Sequence, residues 1–334
     1  MKELATSLNS PVYSDTVPDP TTDSVDKLVA FMKQNRFDSL LAVGGGSPMD
    51  TAKAACVLYS HGGSMRDYKA PFQMNEPALP LVAVPTTAGT GSEVTRFTII
   101  SDTATEEKML CAGYAYMPVA AVVDYTLTMD MPQSLTAHTG IDAFCHAMEA
   151  YVSRRHNGFS DDLALKAVER IARCLTSAFT QGDAPSREGM MLASMEAGLA
   201  FSNSSVTLIH GMSRPFGVAF HVPHGLSNAM LAPDVTRFSL PGALARYARV
   251  SRVAGWGTDA DSDALAAAKV VEALQRWNDE LRVPTMRQYK IAPEAFKART
   301  SKMAKDALAS GSPANNPVQP SQKQIEELYE RIFA

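Results

Sequence analysis

Ser39-Leu40-Leu41-Ala42-Val43-Gly44-Gly45-Gly46-Ser47-Pro48-Met49-Asp50 is the stretch that decides the fold. A short apolar run, Ser39 to Val43, stops at three glycines, and apolar residues resume at helical spacing from Ser47 to Tyr59. That is a strand, a tight turn and a helix. Working upstream, Val25, Leu28, Val29 and Met32 recur at helical spacing behind the turn and cap residues Asp19 to Ser24. Pro11 to Tyr13 reads as a short strand running into a loop. Working downstream, Leu81 to Val84 is a second apolar run, ending in Pro85-Thr86-Thr87, and Phe97 to Ser101 and Val119 to Asp124 read as further strands. Strands alternating with helices imply a parallel sheet covered on its faces.

After about Met131 the pattern changes. Gln133 to Ser153, Asp162 to Phe179, Ser186 to Phe201, Asp263 to Leu281 and Gln322 to Phe333 all read as helices. The expected class is therefore α/β plus all-α, with domains over 1–130 and 131–334.

The 334 residues, 46% hydrophobic and 20% charged, suffice for two domains with ordinary cores. A net charge of −4 argues against nucleic acid or an acidic membrane surface as main partner, because both call for a basic patch. Cys56, Cys111, Cys145 and Cys174 have irregular spacing and no CxxC pair, which reads as reduced thiols in a cytoplasmic protein. Met1 to Ser10 has no apolar core of the secretory kind, and no apolar run is long enough to cross a bilayer.

Three motifs carry chemistry. Gly44-Gly45-Gly46-Ser47 opens a helix, where free N–H groups and the positive end of the helix dipole suit a pyrophosphate. A plain strand-to-helix turn fits the same residues. Pro85-Thr86-Thr87-Ala88-Gly89-Thr90-Gly91-Ser92-Glu93 also follows a strand, and reads either as a cofactor-facing loop or as a capped helix start. Two such turns after two strands of one sheet belong at its ligand-binding edge. Lastly, Asp142 and His146 are spaced i, i+4 on a helix, and His210 and His224 lie in His210-Gly211-Met212-Ser213-Arg214-Pro215 and Pro223-His224-Gly225. Three imidazoles and a carboxylate suit a divalent ion such as Fe(II) or Zn(II). By spacing alone, unconnected core or surface histidines are the more ordinary reading of these residues, and it is the first one for His61, His138, His156 and His221.

These motifs, in this order, resemble the iron-containing alcohol dehydrogenases. The resemblance runs from about Pro11 to the end, through Gly44 to Asp50, Pro85 to Glu93, Gly140 to Glu149, His210 to Pro215 and Pro223 to Gly225, with Asn315-Asn316-Pro317 similar to the family's tail. It implies a Rossmann-like N-terminal domain and a C-terminal helical metal-binding domain. It implies NAD or NADP as cofactor, Fe2+ or Zn2+ as metal, and a homodimer or larger assembly. Asp142, His146, His210 and His224 match the metal ligands, and so the catalytic centre. Gly45, Gly46 and Ser47 match pyrophosphate contacts, while Thr86, Thr87 and Thr90 match the cofactor-facing loop. Lys108 matches a lysine near the cofactor ribose, Asp50 an acid on the nicotinamide side and Leu127 an apolar contact. The implied reaction is reversible hydride transfer between a small alcohol and the nicotinamide, with the metal polarising the substrate oxygen.

Two departures qualify this. The family's leading strand–helix unit has no counterpart before Pro11, so an open sheet edge and an incomplete cofactor site are expected. Many members also place a histidine four residues after the position of His210, where this chain has Arg214. Arg214 either binds an acidic substrate or pairs with a local acid. His221 is a candidate proton relay or a structural residue. Two rival functions stay open: a hydroxyacid–oxoacid transhydrogenase on the same site, and a metal-binding remnant without turnover.

Overall fold

A computed structural model describes residues 6, 7, 9–105 and 107–334, which group into two compact units. One runs through Pro85 and resumes over Arg96–Val122, and the other takes Thr86–Thr95 and Val123–Ala334. The division falls before the expected boundary at residue 130, and the loop after the second strand packs with the helical unit rather than with its own sheet.

In the first unit, β1 (Leu40–Gly44) and β2 (Leu81–Pro85) pair in parallel, in register Leu40 to Leu81 through Gly44 to Pro85. They therefore end at the same edge of the sheet, as the two loop motifs require. β5 (Ala120–Ala121) adds on the far side of β2, giving the order β1-β2-β5. The strand expected over Val119 to Asp124 shortens to these two residues. Flanking N–H groups of Val119 and Val122 still donate to the Leu81 and Ala83 carbonyls. β3 (Phe97–Asp102) and β4 (Glu107–Ala112) form a separate antiparallel hairpin.

Helix α1 (Thr22–Gln34) begins in a capping box between Thr21 and Ser24 and buries Val25, Leu28, Val29 and Met32, the stripe read from the sequence. That stripe shares a core with Ala54, Ala55, Val57 and Leu58 of α2 (Gly46–His61) and with Ile100, Met109 and Cys111 of the hairpin. Pro11 to Tyr13 forms no strand. Pro11 has no N–H to donate to a ladder, Val12 is exposed, and Tyr13 instead packs its ring 5.5 Å from Phe31.

The second unit is helical: α3 (Gln133–Val152), α4 (Gly158–Thr180), α5 (Ala184–Asn203), α6 (Leu208–Phe220), α7 (His224–Ser239), α8 (Leu244–Val253), α9 (Asp263–Glu280), α10 (Pro293–Ala309) and α11 (Gln322–Phe333). Residues 140–152 of α3 are buried on every face, so it is the central helix of this unit. Amphipathic α4 has the Asn157 side chain at its start as cap, and α11 the Ser321 side chain. No described helix is long and apolar enough to cross a membrane.

Candidate metal centre

Asp142 and His146 sit one turn apart on α3, His210 lies in the first turn of α6, and His224 is the first residue of α7. One ligand atom from each lies within 4.8 Å of all the others. Nε2 of His210, His224 and His146 is 3.4, 3.8 and 4.0 Å from Asp142 Oδ1. Asp142, His146 and His210 are buried, whereas the His224 side chain is 34% exposed, so the cluster opens on the His224 side.

Backbone and side-chain partners fix the two buried rings. His210 Nδ1 is 2.5 Å from Glu149 Oε2, and Glu149 Oε1 accepts from Thr207 Oγ1 and the Ile209 N–H, both at 2.7 Å. His146 Nδ1 lies 3.3 Å from the Gly89 carbonyl. With those nitrogens protonated, both Nε2 lone pairs point at the cluster. The His146 ring is held between Phe201 and His210, with both centroid distances 4.4 Å. Gly89 is required for this approach, since a Cβ there would lie 2.4 Å from Thr139 Cβ on α3.

Electrostatics agree. Burial raises the Asp142 carboxyl, but His146, His224 and His210 outweigh it and hold it below the usual carboxylate range. Burial pushes His146 down to about 4. Burial also works against a charged His210, but Glu149 and Asp142 overcome it and raise that imidazole.

Asn228, fully buried on α7, bears on whether the donor set fits a cation. Its Nδ2 is 2.6 Å from Asp142 Oδ1, 3.1 Å from His210 Nε2 and 3.2 Å from His224 Nε2, while its Oδ1 has no hydrogen-bond partner. An amide has two N–H bonds for three acceptors. Lone pairs converging on one point, with neutral donors too few to satisfy them, fit a divalent ion. Sequence reading gave no role to Asn228 or to Glu149; both lie one helical turn from a ligand, at His224 + 4 and His146 + 3.

The other expected residues fall as follows. Gly45 is the N-cap of α2 and carries no side chain to satisfy the first N–H groups of Gly46 and Ser47, which leaves a helix start suited to a phosphate. Ser47 Oγ accepts from the Asp19 N–H at 3.2 Å, and Lys108 Nζ pairs with Asp19 Oδ1 at 2.8 Å. Asp50 Oδ2 accepts from the Ile99 N–H at 2.9 Å, tying α2 to β3. Thr86 and Thr87 are half-buried in the loop that supplies Gly89, and Thr90 Oγ1 accepts from the Ser92 N–H. Leu127 is exposed in a 3-10 turn, and His221 ends α6 in a left-handed conformation. Arg214 lies one turn after His210, with Nη1 donating to Ser312 Oγ at 3.1 Å.

Residues 1–125 match the family model described as iron-containing alcohol dehydrogenase, and residues 136–333 that of the Fe-containing alcohol dehydrogenase family, C-terminal. An NADPH-dependent butanol dehydrogenase of Clostridium saccharobutylicum is 35% identical over 95% of this chain and 82% of its own length. The structure of an alcohol dehydrogenase from Oenococcus oeni superposes with a TM-score of 0.93 at 30% identity, over 99% of this chain and 89% of that one. A sulfoacetaldehyde reductase from Bifidobacterium kashiwanohense, solved with NAD+, gives a TM-score of 0.86 at 27% identity, over 100% and 88% of the two chains.

Proposed function

The chain belongs to the iron-containing alcohol dehydrogenase family and is an NAD(P)-linked oxidoreductase of alcohols and aldehydes; from that premise we propose that Asp142, His146, His210 and His224 hold its catalytic ion. The convergence of these four ligand atoms within 4.8 Å is the observation that carries this reading. A divalent ion bound there supplies Lewis-acid polarisation of a C–O group.

The chain's own residues prepare for that chemistry. Glu149 and the Gly89 carbonyl set the tautomers of His210 and His146. Phe201 covers one face of His146, and burial of three of the four ligands keeps bulk water away from all but the His224 side. Gly45, Gly46 and Ser47 are proposed to take the cofactor pyrophosphate at the uncapped start of α2. Asp50, Thr86, Thr87, Thr90, Lys108 and Leu127 are the further cofactor contacts of this proposal.

NAD and NADP both stay in the proposal, because relatives use either: the butanol dehydrogenase is NADPH-dependent and the sulfoacetaldehyde reductase was solved with NAD+. Fe(II) is the proposed ion, with Zn(II) compatible with the same donors. Four free, buried cysteines support a reducing, cytoplasmic setting, and a homodimer or larger assembly is proposed from the family. The test is anaerobic oxidation of NADH and NADPH by Fe(II)-reconstituted protein against a panel of short aldehydes. Turnover with one or both nucleotides is expected, and its absence from folded, metal-loaded protein overturns the reading.

A further inference from the structure

We propose that Arg214 recognises an anionic group on the substrate, so that the chain acts on short aldehydes and alcohols that also carry a carboxylate, sulfonate or phosphonate. The inference rests on the oxidoreductase reading and adds a substrate class to it.

Position comes first. Arg214 follows His210 by four residues in α6, so both side chains leave one face of the helix. Helix side chains lean toward the N-terminus, which directs Arg214 back over the turn that carries His210. It lies within the field of Glu149, the carboxylate bonded to the His210 ring.

Charge comes next. The guanidinium is desolvated enough that burial lowers its basicity, yet among the described residues it has no carboxylate partner. Its hydrogen bond goes to a neutral hydroxyl, Ser312 Oγ. Glu149 is engaged by Thr207, Ile209 and His210, and Asp142 belongs to the ligand cluster. The alternative of an arginine paired to a local acid is thus not what the fold provides. A half-buried cation without a counter-ion is costly to hold, and a planar fork of five donors with one committed matches a carboxylate or sulfonate bidentately. A neutral side chain would serve as well for contact with Ser312.

Metal-loaded full-length protein is assayed with succinic semialdehyde against butanal, and calorimetry measures binding of ethanesulfonate, an unreactive anion. The expected result is a kcat/KM ratio favouring the acid at least tenfold. Arg214→Ala and Arg214→Gln, the latter keeping much of the side chain, should each cut that ratio at least tenfold, mainly through KM, and weaken ethanesulfonate to the same degree. Ser312→Ala should keep the preference for the acid. An unchanged ratio and unchanged ethanesulfonate binding in Arg214→Gln overturn anion recognition and leave the dehydrogenase reading standing. No turnover of either aldehyde, with ethanesulfonate binding still dependent on Arg214, retains the anion site and overturns the dehydrogenase reading instead.

Discussion

Glu149 Oε2 sits 2.5 Å from His210 Nδ1, with both groups buried, and Glu149 thereby decides which nitrogen of His210 faces the cluster. A carboxylate behind a ligating imidazole also raises its basicity. Glu149→Gln should weaken metal binding by about 10–100-fold, read by competition with a chromogenic chelator. Unchanged affinity would show that the ring is oriented by packing alone.

Asn228 donates to Asp142 Oδ1 at 2.6 Å. Without metal, this amide donates to that carboxylate oxygen, and an ion bound at the cluster would take over that role. Asn228→Ala should therefore destabilise the metal-free protein by about 1–3 kcal/mol, the cost of an unsatisfied buried acceptor, and the loaded protein by less. Thermal unfolding of both forms measures this, and equal losses in the two would refute it.

Gly91 and Gly198 bring the loop after β2 against α5. A Cβ on Gly198 would lie 2.8 Å from the Gly91 carbonyl oxygen and 2.9 Å from its Cα. Gly198→Ala should cost about 1–3 kcal/mol through overpacking. Because the same loop supplies the Gly89 carbonyl to His146, metal affinity should fall as well. Urea unfolding and chelator competition give the two readouts, and a stable variant with native metal affinity would sink the proposed coupling.

In the sheet unit, Arg66 holds Asp102 through Nε and Nη2 at 2.5 and 2.6 Å. This hydrogen bonding keeps the Asp102 carboxyl well below the usual range. A carboxyl depressed in the folded state gives stability that is full above its unfolded value, near pH 4, and is lost as pH falls toward the folded one. The stability gap between wild type and Asp102→Asn should thus be constant above about pH 5 and narrow below about pH 4. Urea midpoints across pH test it; a gap that widens in acid has the wrong sign.

Much of this was legible in the sequence because it is written in local patterns. The runs before Gly44 and Pro85 became paired parallel strands, and the i, i+4 spacing of Asp142 and His146 put both on one helix face. What distant contacts decide was not legible. The Thr86–Thr95 loop follows a strand in sequence but packs with helices, because Gly89 and Gly91 let its backbone approach α3 and α5. Phe97 to Ser101 read as a further strand and is one, but whether its hairpin with Glu107–Ala112 joins β1 and β2 or stands apart, as it does, is set by the tertiary packing. Glu149 and Asn228 acquire their roles only when α3, α6 and α7 meet; each is otherwise a polar residue at ordinary helical spacing.

The central claim is best tested by measuring iron content and aldehyde-dependent NAD(P)H oxidation in the same anaerobically reconstituted samples of wild type and His210→Ala. The account predicts one ion per chain and turnover in wild type, with both lost in the variant while its helical content is retained. Turnover in His210→Ala, or in wild type stripped of metal, would contradict it.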